Sequence, residues 1–295
     1  MDLREKPGKV QTFLELMLRF RLIALVVLVV ASVSFVATRW QEIVSLPLAA
    51  SESLGMWLAF ETETVRGMWA SSQYLAVAGL ACVVLSFVFG GVRGGIASVV
   101  SPLLFVAALY VMGGAESMPL PMFVVFAAVA LVLFLFVKLS VACVLFPFAL
   151  SWLFLGGLLL YVPTGAPEQS VAGLWWAVFS AVGFAYSMVF ALVAGKHLAA
   201  GVPQAGALVK AAKQMLVPVL VGGLLVVSAI AFDARGPVHW PSALVHYAVI
   251  VAWFFVFLFP ISSFGPWERL RSGSRRVEMK DKKKGASKGS SKKKK

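Results

Sequence analysis

The chain has 295 residues, of which 60% are hydrophobic and only 13% charged, and its mean hydropathy is +0.91. A soluble domain is about half apolar and a quarter charged, and one with this composition would have too little polar surface to cover its core, so a soluble globular protein is excluded. The net charge of +13 would suggest nucleic acid in a soluble chain, but 13 of the 26 Lys and Arg lie after Pro266, so their position outweighs their number.

Crossing a hydrocarbon layer of about 30 Å takes about 20 apolar residues, or somewhat fewer if the bilayer adapts. Eight runs approach that length: 22–38, 74–89, 96–112, 120–137, 139–162, 171–195, 215–232 and 244–264. None contains Asp, Glu, Lys or Arg. The expected fold is all-α, a polytopic membrane bundle of about eight transmembrane helices with both termini cytoplasmic. Residues 1–21 form a cytoplasmic N-terminal segment, 22–264 the bundle, and 265–295 a basic cytoplasmic tail.

The first run follows a basic segment (Arg4, Lys6, Lys9, Arg19, Arg21) and resembles a signal peptide in outline. The basic segment is long, and "SVSFVATRW" offers no clean A-x-A cleavage site, so an uncleaved signal-anchor is expected. The next segment, 39–73, is external. Within it Leu54, Trp57, Leu58, Val65, Met68 and Trp69 share one helical face, which suits an interfacial helix anchored by Trp57 and Trp69 at headgroup level. A plain cap over the helix ends is the alternative. The glycine-rich "FGGVRGG" at 89–95 reads as a tight turn between the second and third runs.

Residues 124–162 form a 39-residue apolar run interrupted only by Lys138. One long helix would bury Lys138 at mid-membrane at a cost of about 3 kcal/mol. Two helices joined at Lys138 place it at the cytoplasmic surface instead. Loop charges favour the second arrangement, because it puts 23 Lys and Arg inside against 3 outside.

In the sixth run Gly183, Ser187, Ala191 and Gly195 recur every four residues, and Gly173, Ala177, Ala181 and Ala185 form a second such row. Small residues at this spacing let helices approach closely, and "LGGLL" at 155–159 and "VGGLL" at 221–225 suggest the same for two neighbours. The 196–214 segment is expected to be a cytoplasmic loop carrying Lys196, Lys210 and Lys213 near the bilayer. The tail is low-complexity Lys, Ser and Gly and is expected to be disordered. Lys282, Lys283, Lys284, Lys292, Lys293, Lys294 and Lys295 are its candidate contacts to anionic headgroups or an acidic partner. Nucleic acid is not expected as a partner, except ribosomal RNA through this tail. The terminal lysines would also satisfy a dilysine retrieval pattern in a eukaryote.

Chemistry is sparse. The predicted helices contain no ionisable group except His246, read as a capping or interfacial residue, and the cysteines Cys82 and Cys143 and tyrosines. This weighs against ion-coupled transport. The cysteines read as small apolar residues in packed helices. No nucleophile–base pairing, zinc-protease motif or phosphate-binding loop is present, so no cofactor, metal or catalytic residue is assigned. The leading expectation is a non-enzymatic scaffold or channel-forming subunit of a larger envelope assembly of secretion or transfer type, in the bacterial inner membrane or, if eukaryotic, the endoplasmic reticulum. It would associate with lipid, with other membrane proteins or with itself. A passive channel for a neutral or lipid-like solute, and an interfacial enzyme using His197 or His239, are the alternatives.

Overall fold

The computed structural model describes residues 8–34, 37–38, 41, 77–100, 143–144, 147–148, 151, 169–233, 240–265 and 267, with 169–179, 230–233 and 240–242 described as backbone only. Among the described residues all regular structure is helical, and no strand occurs. The first two helices are α1 (Lys9–Arg19) and α2 (Arg21–Ser34), bent by 60° at Phe20. The helical stretch α3 (Val77–Val100) follows, then α4 (Gln169–Ala199). Next come α5 (Gln204–Val217) and α6 (Gly223–Asp233), joined through a π-helical turn at Pro218–Gly222. The last rod is α7 (Trp240–Ala252) and α8 (Phe259–Ser262), joined through a second π-helical turn at Trp253–Leu258.

By length and apolar composition Val77–Val100, Ser180–Ala199, Gln204–Ala229 and Ala243–Ser262 are each able to cross a membrane, and the bent pair α1 and α2 makes a fifth if counted as one. The α3 stretch is not straight, however. Residues eight apart in a straight helix are separated by about 12 Å. Here a β-carbon built on Gly94 lies 3.2 Å from the Ser86 carbonyl oxygen, and one on Gly95 falls against the Phe87 ring. The chain doubles back at Gly91, whose φ of 70° is left-handed and suits glycine. The predicted tight turn at 89–95 therefore exists, although helical structure runs up to it on both sides.

The 196–214 loop differs from expectation. Only 200–203 leaves the helix, with Gly201 at φ 84°, and α5 begins at once when the Pro203 carbonyl accepts the Ala207 N–H at 2.8 Å. "QAGALVKAAKQ" is rich in strong helix formers, and propensity carries the helix well beyond the apolar run. Residues 1–21 likewise contain a helix, α1.

Both π turns adjoin a proline. Pro218 opens the first and Pro260 follows the second. Proline lacks an N–H and its ring collides with the carbonyl four residues back, so a wider turn relieves the clash. The carbonyls of both prolines accept side-chain hydroxyls, and that of Pro260 also accepts the Ser263 backbone N–H at 3.1 Å. The Tyr186 hydroxyl donates to the Pro218 carbonyl at 2.8 Å, and Ser263 Oγ donates to the Pro260 carbonyl at 2.6 Å.

The core forms where α4 packs on α5 and on the second π turn, while α6 packs on α7 and α1 lies against α5. Phe190 of α4 meets Phe254 and Phe259 edge-on, with ring centroids 5.8 and 6.1 Å apart. The folded part continues past 264: the Trp267 indole is fully buried and donates to the Ser262 carbonyl at 2.7 Å.

Candidate functional site

The buried polar groups gather at two points along α4. At the first, the Tyr186 hydroxyl sits between the Pro218 carbonyl and the Cys82 thiol, 3.7 Å away, and the thiol in turn points at the Gly222 carbonyl at 3.7 Å. A β-carbon at Gly222 would fall on the Tyr186 oxygen, so only glycine admits this arrangement. At the second, Trp253 Nε1 donates to Ser151 Oγ at 2.7 Å, and Ser151 donates to the Phe148 carbonyl at 3.1 Å. The Trp253 ring lies over Gly183, where a β-carbon would stand 2.9 Å from it.

A third cluster closes the bundle at the 200–203 end. Arg21 donates to Ser263 Oγ at 3.3 Å, and its guanidinium lies 5.0 Å from the Phe264 ring centre. Gln204 donates to the Ser263 carbonyl at 2.8 Å. Gly265 packs directly on Cys143, where a β-carbon would be 2.5 Å from Cβ and 3.0 Å from Cα.

All described Lys and Arg residues lie on one half of the molecule. Lys9 and Arg19 are on α1, which packs on α5, and Arg21 shares Ser263 with Gln204. Lys196, Lys210 and Lys213 flank the 200–203 turn. Arg93 belongs to the same half. Cys82 meets Tyr186 and Gly90 meets Val189, so the first arm of α3 runs in the direction of α4 toward Ala199. Arg93 is exposed just beyond the reversal.

The predicted packing row is distributed over several contacts. Gly183 receives Trp253, Ser187 Oγ donates to the Gly183 carbonyl at 2.7 Å, Ala191 is fully buried, and Gly195 is half-buried. In the second row Ala181 and Ala185 are buried. Of "VGGLL", Gly222 accommodates a hydroxyl, and a β-carbon at Gly223 would touch the Tyr247 ring at 3.5 Å. Lys138, Trp57, Trp69, the 39–73 segment apart from residue 41, the runs 120–137 and most of 139–162, and tail lysines Lys282, Lys283, Lys284, Lys292, Lys293, Lys294 and Lys295 lie outside the described residues.

Sequence reasoning did not single out Tyr186, Trp253 or the pairing of Cys82 with a hydroxyl. Pro218 inside an apolar run was the available signal, since a proline there interrupts the regular helix, but nothing local names its partner. His246, read as interfacial, is fully buried within α7. His197 lies near Gln214, and its Nε2 is buried without a hydrogen-bond partner. Among the described residues no three His, Cys, Asp or Glu side chains converge as a metal site. The chain matches no known family model, no curated protein and no solved structure.

Proposed function

We propose that this chain is a non-enzymatic integral membrane protein, a scaffold or channel-forming subunit of a larger envelope assembly. The observation that carries this reading is how the buried polar side chains are used. Tyr186, Ser187, Trp253, Ser262 and Ser263 each bond a backbone carbonyl or a neighbouring hydroxyl inside the bundle. The Tyr186–Pro218 and Trp253–Ser151 bonds tie distant segments together, while the serines bond carbonyls of their own helices, as a rigid framework requires. They commit the proton donors of those groups to the framework. The exposed apolar sides of α2 (Leu22, Ile23, Val26, Val30, Val33) and α3 (Val77, Leu80, Val84, Val88) supply surface for lipid or neighbouring helices.

The orientation belongs to the same proposal. Lys and Arg on one half of the described bundle support placing that half, with both termini, in the cytoplasm. Eight crossings with a turn at Lys138 complete this topology, and the tail lysines would meet anionic headgroups or a partner.

Extraction in a gentle detergent followed by native mass measurement tests the subunit reading. The expected result is a defined higher-mass species containing other proteins or several copies. A homogeneous monomer without companions overturns it.

A further inference from the structure

Helix α1 is too short to cross a bilayer: its 11 residues span about 16 Å. Its surface divides into three stripes at helical spacing. Gln11, Leu14 and Leu18 turn toward the protein, with Leu14 fully buried and Leu18 packed against the main core. Thr12, Glu15 and Arg19 form a polar stripe, in which Gln11 donates to Glu15 at 2.9 Å from the neighbouring stripe. The remaining stripe is apolar yet open: Val10, Phe13, Leu16 and the following Phe20 are 39%, 45%, 43% and 47% exposed. A helix facing only protein and water has no use for this third stripe.

A second observation places α1 at the membrane boundary. Along the rod on which it packs, one exposed line of side chains runs Lys210, Lys213, Val217, Val221, Leu224. The line changes from cationic to apolar between Lys213 and Val217, which marks where water gives way to hydrocarbon. The same change occurs at the bend out of α1, where Arg21 is followed by exposed Leu22, Ile23 and Val26. Helix α1 packs on the Gln204–Val217 side of that boundary and on the end of the last rod.

We propose that α1 is an interfacial anchor lying in the headgroup layer of the basic leaflet, with Val10, Phe13, Leu16 and Phe20 dipped into the acyl chains. Its occupant is the lipid of that leaflet, enriched in anionic headgroups. Charge complementarity carries the enrichment: Lys9, Arg19, Lys196, Lys210 and Lys213 are exposed on this side, and Glu15 is the single described acid among them. The inference rests on the chain being membrane-embedded and is independent of whether it is a subunit, so a monomeric protein leaves it standing.

The test uses the full chain in vesicles, with Cys82 and Cys143 replaced by alanine and bimane attached to a single cysteine at position 12, 13, 15 or 16. Lipids brominated near the headgroup should quench the label at 13 and 16 at least about twofold more than at 12 and 15. Brominated phosphatidylglycerol should quench more than brominated phosphatidylcholine at equal mole fraction, and Lys210→Gln with Lys213→Gln should reduce that difference. Equal quenching at all four positions overturns the anchor, and equal quenching by the two lipids overturns the anionic preference. As a check in the native-cysteine chain, a photoreactive benzophenone residue at Phe13 should yield lipid adducts by mass. Adducts to protein instead mean that a polypeptide covers the stripe, and the proposal fails.

Discussion

The hydroxyl oxygen of Tyr186 occupies the place where a β-carbon at position 222 would stand, so the tyrosine and Gly222 form one interlocking unit. Three functions meet in this contact: the hydroxyl satisfies the Pro218 carbonyl, contacts Cys82, and holds α4 against the wide turn. Gly222→Ala should destabilise the protein by about 1–3 kcal/mol through overpacking. Tyr186→Phe should cost about 1 kcal/mol by removing the hydrogen bond. The double variant should lose less than the sum, because phenylalanine removes the atom that the new methyl meets. Thermal unfolding in detergent measures all three, and strict additivity would contradict the contact.

The small-residue row on α4 should not respond uniformly. Gly183→Val drives a side chain into the Trp253 ring and should cost about 1–3 kcal/mol. Ser187→Ala removes only a bond to its own helix and should change stability by less than about 1 kcal/mol. Similar melting shifts for the two would argue that the row acts as a simple packing stripe.

Trp253→Ala should be among the most damaging single changes, at about 3–5 kcal/mol, since it opens a cavity and removes the donor to Ser151. Trp253→Phe should recover most of the packing but not the hydrogen bond. A melting temperature for the phenylalanine variant no higher than that of the alanine variant would contradict this account.

How much of this was legible beforehand differs by element. The apolar runs at 171–195, 215–232 and 244–264 were readable because lipid imposes a simple requirement, a charge-free stretch of sufficient length, and the turn at 89–95 because glycines cluster there. The helical character of 1–21 and 196–214 was hidden by the same test, which registers where polarity begins and not where a helix ends. Alanine, leucine and lysine in "QAGALVKAAKQ" carried that information through propensity. Contacts such as Cys82 with Tyr186 join residues 104 apart in sequence, and no local pattern encodes them. The glycines at 222 and 223 were visible as small, but the group that needed the space was not.

At the bundle's end, Arg21→Ala should destabilise the chain by about 0.5–1 kcal/mol, and Arg21→Lys by somewhat less. Lysine keeps the charge but loses the planar face presented to Phe264. Thermal unfolding of Arg21→Ala in a Phe264→Leu background tests the stacking: the arginine should then matter less.

Single cysteines at Arg93 and Lys213 should react with an impermeant reagent from the same side of sealed vesicles, because both lie on the basic half. Labelling from opposite sides would contradict the reversal at Gly91.

That reversal has a consequence for parity. A stretch of 24 residues counted by length alone contributes one crossing and exchanges inside for outside for every residue after it. Folded at Gly91, the same stretch divides into two arms, 77–90 and 92–100, and its total length no longer stands for one straight crossing. One left-handed glycine thus undoes a count of crossings that takes helical length as its only measure.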